Sequence, residues 1–220
     1  AGIANAYNIL SSIYQTKKLY NLAAENRERE IEITLKYNID TYNLGSSYGI
    51  LSSYYCNLGQ MEKAKVCLEK ASEYIYSSTQ EFTINLKHFD YYLALKEYSL
   101  AKEYLDKAKR LMDTEKEVSK TSIEYYLKER DYYIATDQFE RALATVEYIS
   151  KAYPGKTSGL ELLPITAFIY SHLGNKAKAV EYYQRYIQGI DSLNRMQEDI
   201  AASEFSAMLG AVSYTHLRAH

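Results

Sequence analysis

Large apolar residues recur three and four positions apart in a pair of matching segments. Tyr7-Asn-Ile-Leu-Ser-Ser-Ile-Tyr14 returns as Tyr48-Gly-Ile-Leu-Ser-Ser-Tyr-Tyr55, and that spacing places the repeated residues on one face of an α-helix. A second kind of helix follows each such segment, carrying a small residue, a bulky one and another small one. Ala64, Leu68 and Ala71 form one set, and Ala101, Leu105 and Ala108 another. Ala142 and Val146 lead to Ser150, and Ala179 is followed by Tyr183. The earliest set keeps Ala23 but continues with Arg27 and Glu30. Leu58-Gly59-Gln60 and Leu173-Gly174-Asn175 punctuate the pattern as turns. Two antiparallel helices in close contact need small residues where their backbones approach. One hairpin cannot bury its apolar face alone, so the pattern predicts stacked helical hairpins and an all-α fold.

The marker alanines at 23, 64, 101, 142 and 179 are separated by 41, 37, 41 and 37 residues. The expected units lie near residues 4–37, 44–78, 82–112, 120–153 and 160–190, together forming a repeat domain over 1–190. Helix-start signals are Asp40-Thr41, Ser77-Ser78-Thr79 and Asp113-Thr114. Tyr153-Pro154-Gly155 breaks the chain before the fifth unit, and Pro164 is expected in the first turn of the helix that follows. From Lys176 to about Leu209 the chain reads as helix, with Ile187, Ile190, Leu193, Met196 and Ile200 as a stripe continued loosely by Phe205, Met208 and Leu209. Residues 191–210 are therefore expected to form a capping or linker helix.

Composition narrows the function without changing the fold. The net charge is −2 and acidic and basic residues interleave, as in Asn26-Arg27-Glu28-Arg29-Glu30. A nucleic-acid surface would need clustered, unbalanced Lys and Arg, so none is expected in this segment. Cys56 and Cys67 are too few for a disulfide framework; they are expected as unpaired thiols, with a single bridge between the two helices of one hairpin as the alternative. No run reaches the roughly 18 apolar residues that span a bilayer. The 25 tyrosines, with no tryptophan, supply rings that pack while their hydroxyls find water or a partner.

Catalysis would need convergent groups, and none is present as a motif. There is no Gly-rich phosphate loop, nucleophile elbow or His-x-x-x-His pair. His88 and His172 lie in different units, and each reads as a packed or surface histidine. The expectation is a protein that is not an enzyme and takes no cofactor and no metal.

The aromatic-x-x-Leu-small-x-x-Tyr segments resemble the first helix of a tetratricopeptide repeat, with Tyr7 and Tyr48 where that family often has tryptophan and Ser11 and Ser52 where it often has glycine. The resemblance covers roughly residues 4–188, although the family's period is about 34 and the units here are longer. It implies a superhelix whose inner wall is lined by the first helices, binding a protein or peptide. The signature aromatic stands 16 residues before the marker alanine in the first two units, and the same offset marks Asn85, Tyr126 and Leu163. Inward residues are expected one and five positions after each mark: Asn8 and Ser12, Gly49 and Ser53, Leu86 and Asp90, Leu127 and Asp131, Pro164 and Phe168. Gln15 and Asn57 extend this groove. Family members that grip a chaperone carboxylate do so with a Lys and an Asn at inward positions. Asn8 with Ser12, and Gly49 with Ser53, do not reproduce that clamp.

The run Gln188-Gly-Ile-Asp-Ser-Leu-Asn-Arg-Met-Gln-Glu-Asp-Ile-Ala-Ala-Ser-Glu-Phe is similar to the junction in bacterial repeat-containing sensor proteins, where a helical linker leads towards a membrane helix and a kinase or DNA-binding module. That likeness implies a periplasmic sensing part of a signalling protein, with any membrane contact through flanking sequence. A stand-alone cytoplasmic scaffold is the alternative, and a glycan or small ligand stacked on Tyr92 or Tyr133 a third. Residues 212–220, Val-Ser-Tyr-Thr-His-Leu-Arg-Ala-His, resemble a translated transposase-type sequencing adapter and break the preceding pattern. The expectation is that 211–220 are non-native and that the true chain continues past about Gly210.

Overall fold

The computed structural model describes residues 2–39, 41–119, 123–155 and 159–218, with the side chains of 119, 201–202 and 205–218 excepted. All regular elements among the described residues are helical. They are α1 (Gly2–Thr16), α2 (Tyr20–Tyr37), α3 (Leu44–Asn57), α4 (Met61–Glu73), α5 (Ser78–Ala94), α6 (Tyr98–Thr114), the short α7 (Lys116–Ser119), α8 (Ile123–Ala135), α9 (Phe139–Ala152), α10 (Gly159–His172) and α11 (Lys176–Arg218), with a 3-10 turn at Thr41–Asn43. Two compact units divide the chain, Ala1–Thr145 and Val146–His220.

One turn is used five times. Lys18, Gly59, Lys96, Asp137 and Gly174 all have positive φ, between 56° and 76°, and they are spaced like the marker alanines. The next residue's N–H donates to the carbonyl of Tyr14, Tyr55, Tyr92, Tyr133 or Tyr170 at 2.8–2.9 Å, the six-to-one bond that closes a helix C-terminus on a left-handed residue. The marker alanine N–H then begins the second helix by donating to Leu19, Gln60, Glu97, Gln138 or Asn175 at 2.9–3.0 Å. The repeated tyrosine therefore ends one helix, and the alanine, buried in every case, starts the next.

In the first unit α1 packs on α2, α3 on α4 and α5 on α6, while α2 reaches α3, α4 reaches α5 and α6 reaches α8. Ser11 fills its buried site by donating to the Ala23 carbonyl at 2.9 Å, which explains a serine where two backbones meet. One core joins Ala23, Leu44, Tyr48, Leu51, Tyr54, Leu68 and Ala71. A second joins Phe82, Phe89, Leu105, Ala108 and Val118. In the second unit α10 packs on α11.

Several details differ from the sequence expectation. Asp113-Thr114 ends α6 and does not start the next long helix, because α7 intervenes. The buried residue after Val146 is Ile149, on the three-four spacing, whereas Ser150 is exposed. Tyr183 is 42% exposed; Tyr182, one residue earlier, turns inward and meets Tyr170 with ring centroids 5.5 Å apart. Pro164 lies inside α10, beyond its first turn, where it denies the Leu160 carbonyl a helical partner. The helix α11 runs on to Arg218 without the break expected at residue 212. Asp40, the side chains of Phe205, Met208 and Leu209, and the imidazoles of His216 and His220 fall outside the described residues.

Candidate partner-binding face

Within the first unit the first helices touch in succession, α3 to α5 and α5 to α8. Their shared face carries part of the expected groove. Ser53 on α3, Asp90 on α5 and Leu127 and Asp131 on α8 are half-buried, and Asn57 is exposed. On α1, Ser12 and Gln15 are exposed and Asn8 is half-buried.

Two residues depart from that set. Leu86 is 2% exposed and belongs to the core with Phe82 and Tyr125, so it has no surface to offer. Gly49 is buried, and a Cβ there would lie 3.5 Å from Lys87 Cγ. At Gly49 and Leu86 the position one residue after the signature mark points at the neighbouring first helix, whereas Ser53 and Asp90, five after the mark, stay on the open face.

Others are already engaged. Asn8 Oδ1 accepts from Arg27 Nη1 at 2.7 Å, and Gln15 Oε1 accepts from the Tyr54 hydroxyl at 2.9 Å. Ser12 and Ser53 hydroxyls donate to their own helices, at Asn8 and Gly49 carbonyls. Asp131 accepts from Arg130.

The face also holds residues that the marks did not select. Lys128 Nζ pairs with Asp90 at 2.7 Å and ties α5 to α8. Lys87, one turn before Asp90, has its ammonium held below the ordinary lysine value, first by burial and then by the Lys128 charge, against the pull of Asp90. Cys56 stands close enough to Asp90 and Lys87 to feel both charges. Lys87 precedes Asp90 by three residues, as Lys128 precedes Asp131. That i,i+3 spacing was the available signal, and it reads equally as a solvated helix face.

Elsewhere the candidate groups are packed. His88 stacks on Tyr104 with centroids 4.4 Å apart and more loosely on Tyr92 at 6.5 Å. His172 meets the Phe168 carbonyl through Nδ1 at 2.9 Å. Cys56 and Cys67 are free thiols, one half-buried and one buried, and burial pushes both up to about 11. Among the described residues no group of three or more His, Cys, Asp or Glu could hold a metal, and no helix is long and apolar enough to cross a membrane.

Successive helical hairpins closed by one recurring turn define the tetratricopeptide-type α-solenoid class. The tetratricopeptide repeat family model matches residues 45–77 and 167–188, so those two stretches carry tetratricopeptide repeats. Solved structures agree at the level of the fold. PilW, described as a widely conserved type IV pilus biogenesis factor, is 18% identical with a TM-score of 0.57, over 83% of this chain and 76% of that one. BtubC from P. vanneervenii is 16% identical with a TM-score of 0.60, over 86% and 80%. A Podosopora anserina putative kinesin light chain with nearly identical tetratricopeptide-like repeats is 17% identical with a TM-score of 0.59, over 87% and 96%. No curated protein matches the chain.

Proposed function

We infer that the chain is a scaffold that binds a protein or peptide along the face of α3, α5 and α8. The observation that carries this reading is the polar strip of Ser53, Asn57, Lys87, Asp90, Lys128 and Asp131 on adjoining first helices. Charges of both signs sit there, partly desolvated, as suits a partner held by paired charges and amides. Hydrogen exchange with display-selected peptides tests the reading. Protection concentrated in α3, α5 and α8 is expected, and protection confined to α4 and α6 would contradict it.

The role as the sensing part of a bacterial signalling protein is a narrower proposal. It is supported by α11, which continues as one helix of 43 residues in the manner of a linker. Sequencing the source locus past residue 210 decides it: an apolar span followed by an output module supports the sensor and a periplasmic location, and a stop codon supports the cytoplasmic scaffold.

A further inference from the structure

The hairpins of the first unit meet through one repeated register. Ile31, Ser72 and Lys109 each stand eight residues after a marker alanine, and each reaches the first helix of the next hairpin. Ile31 shares a core with Leu51 of α3. Ser72 Oγ lies 3.2 Å from His88 Nε2 of α5, and the Lys109 ammonium lies over the Tyr125 ring of α8, 5.6 Å from its centroid. On the receiving helices, Leu51 and His88 stand three residues after the signature mark. Each hairpin therefore offers one side of its second helix forward and one side of its first helix backward.

The first and last hairpins each leave one half of that contact open. On α1, Ile3, Leu10 and Ile13 hold the register of Leu44, Leu51 and Tyr54 on α3. The α3 residues are at most 3% exposed, whereas those of α1 are 40–68% exposed. Among the described α-helices, only α1 and α3 lack a charged side chain, so α1 has the composition that α3 uses in an interior position. On α11, Val180 and Ile187 hold the register of Ala24 and Ile31, which are buried in one core with α3. Val180 and Ile187 are more than half exposed. Adjoining apolar side chains left in water in this way mark a contact surface.

We propose that these two faces bind each other between copies of this chain. Val180 and Ile187 of one copy pack on Ile3, Leu10 and Ile13 of the next, as Ala24 and Ile31 pack on α3 within a chain. A second copy is the fitting partner because the chain itself supplies the matching half of each contact. The contact is heterologous, so every pair keeps one open face of each kind for further copies. It involves none of the residues of the α3–α5–α8 face and does not depend on that reading.

Sedimentation of the full chain over a concentration series tests this. Reversible association that grows with concentration is expected. Leu10→Glu and Ile187→Glu should each weaken it at least tenfold, with the helical circular dichroism unchanged. Mixed in equal amounts, the two variants should recover one junction, because the intact α11 face of the first meets the intact α1 face of the second, and should stop at the heterodimer. Ile3→Lys and Val180→Lys, at positions more than half exposed, replace either variant that fails to fold. An unmodified chain that stays monomeric would overturn the proposal and leave these faces to another protein. Undiminished association in Ile187→Glu would overturn it in favour of α1 pairing with α1, and a mixture of the two variants that stays monomeric would also contradict it.

Discussion

His88 lies against Tyr104 and Tyr92, with Ser72 Oγ 3.2 Å from its Nε2. Burial, with a smaller contribution from the nearby Lys107, brings its titration down to about 4, below the ordinary value of about 6.5 for an exposed imidazole. Between those two values the unfolded chain binds a proton that the folded chain does not, so stability falls as pH drops through this window and is unaffected by His88 above it. Thermal melts between pH 7 and 4 should show that slope reduced in His88→Gln; an unchanged slope would assign it to other groups. Gly45 is a second residue with a specific demand. A Cβ there would lie 2.5 Å from the Tyr74 carbonyl oxygen and 3.1 Å from that of Ala71, so α3 and the end of α4 meet backbone to backbone. Gly45→Ala should cost about 1–3 kcal/mol by overpacking, read from urea unfolding, and a neutral result would mean that α4 gives way there.

At the scale of the element, the recurring hairpin turn makes the sharpest forecast. Gly59 and Gly174 take the left-handed conformation freely, whereas Lys18, Lys96 and Asp137 hold the same conformation with a Cβ. Lys96→Gly should therefore stabilise the protein by about 0.5–1 kcal/mol, net of the entropy that glycine adds to the unfolded chain. A loss of stability would show that the lysine side chain contributes more than its backbone costs. The start of α5 is set differently. Ser77 Oγ accepts from the Gln80 N–H at 3.2 Å, while Gln80 Oε1 accepts from Tyr76 N–H at 2.8 Å and its amide donates to the Tyr42 carbonyl at 2.7 Å. Ser77→Ala should cost about 1 kcal/mol by the same unfolding measurement.

Much of this level was legible in the residues. The alanines mark close helix contacts because a small side chain is required wherever two backbones approach, and all five are buried. The Ser77 start was readable because a cap acts locally. The signal failed where tertiary contact decides. Leu86 and Gly49 share one register position, and that position faces the next first helix, a neighbour no local pattern reveals. Ser150 was one residue, or about 100° of helix rotation, away from the buried Ile149. Lys87 and Lys128 were hidden because a charge on a helix surface looks the same whether or not a salt bridge such as Asp90–Lys128 ties it to another helix.

For the whole molecule, stacked hairpins derive their stability from neighbours, and the proposed function is that the polar face shared by adjoining first helices takes a partner without disturbing either core. That is the central claim, and the affinity of display-selected peptides for variants of the full chain tests it most directly. Ser53→Arg combined with Lys128→Ala changes the α3–α5–α8 face, and Lys65→Glu combined with Val66→Asp changes exposed positions on α4. The account predicts a loss of about tenfold or more in Kd, roughly 1.4 kcal/mol, for the first variant and less than about twofold for the second. Equal affinity for the first variant and the unmodified chain, or a loss confined to the α4 variant, would contradict it.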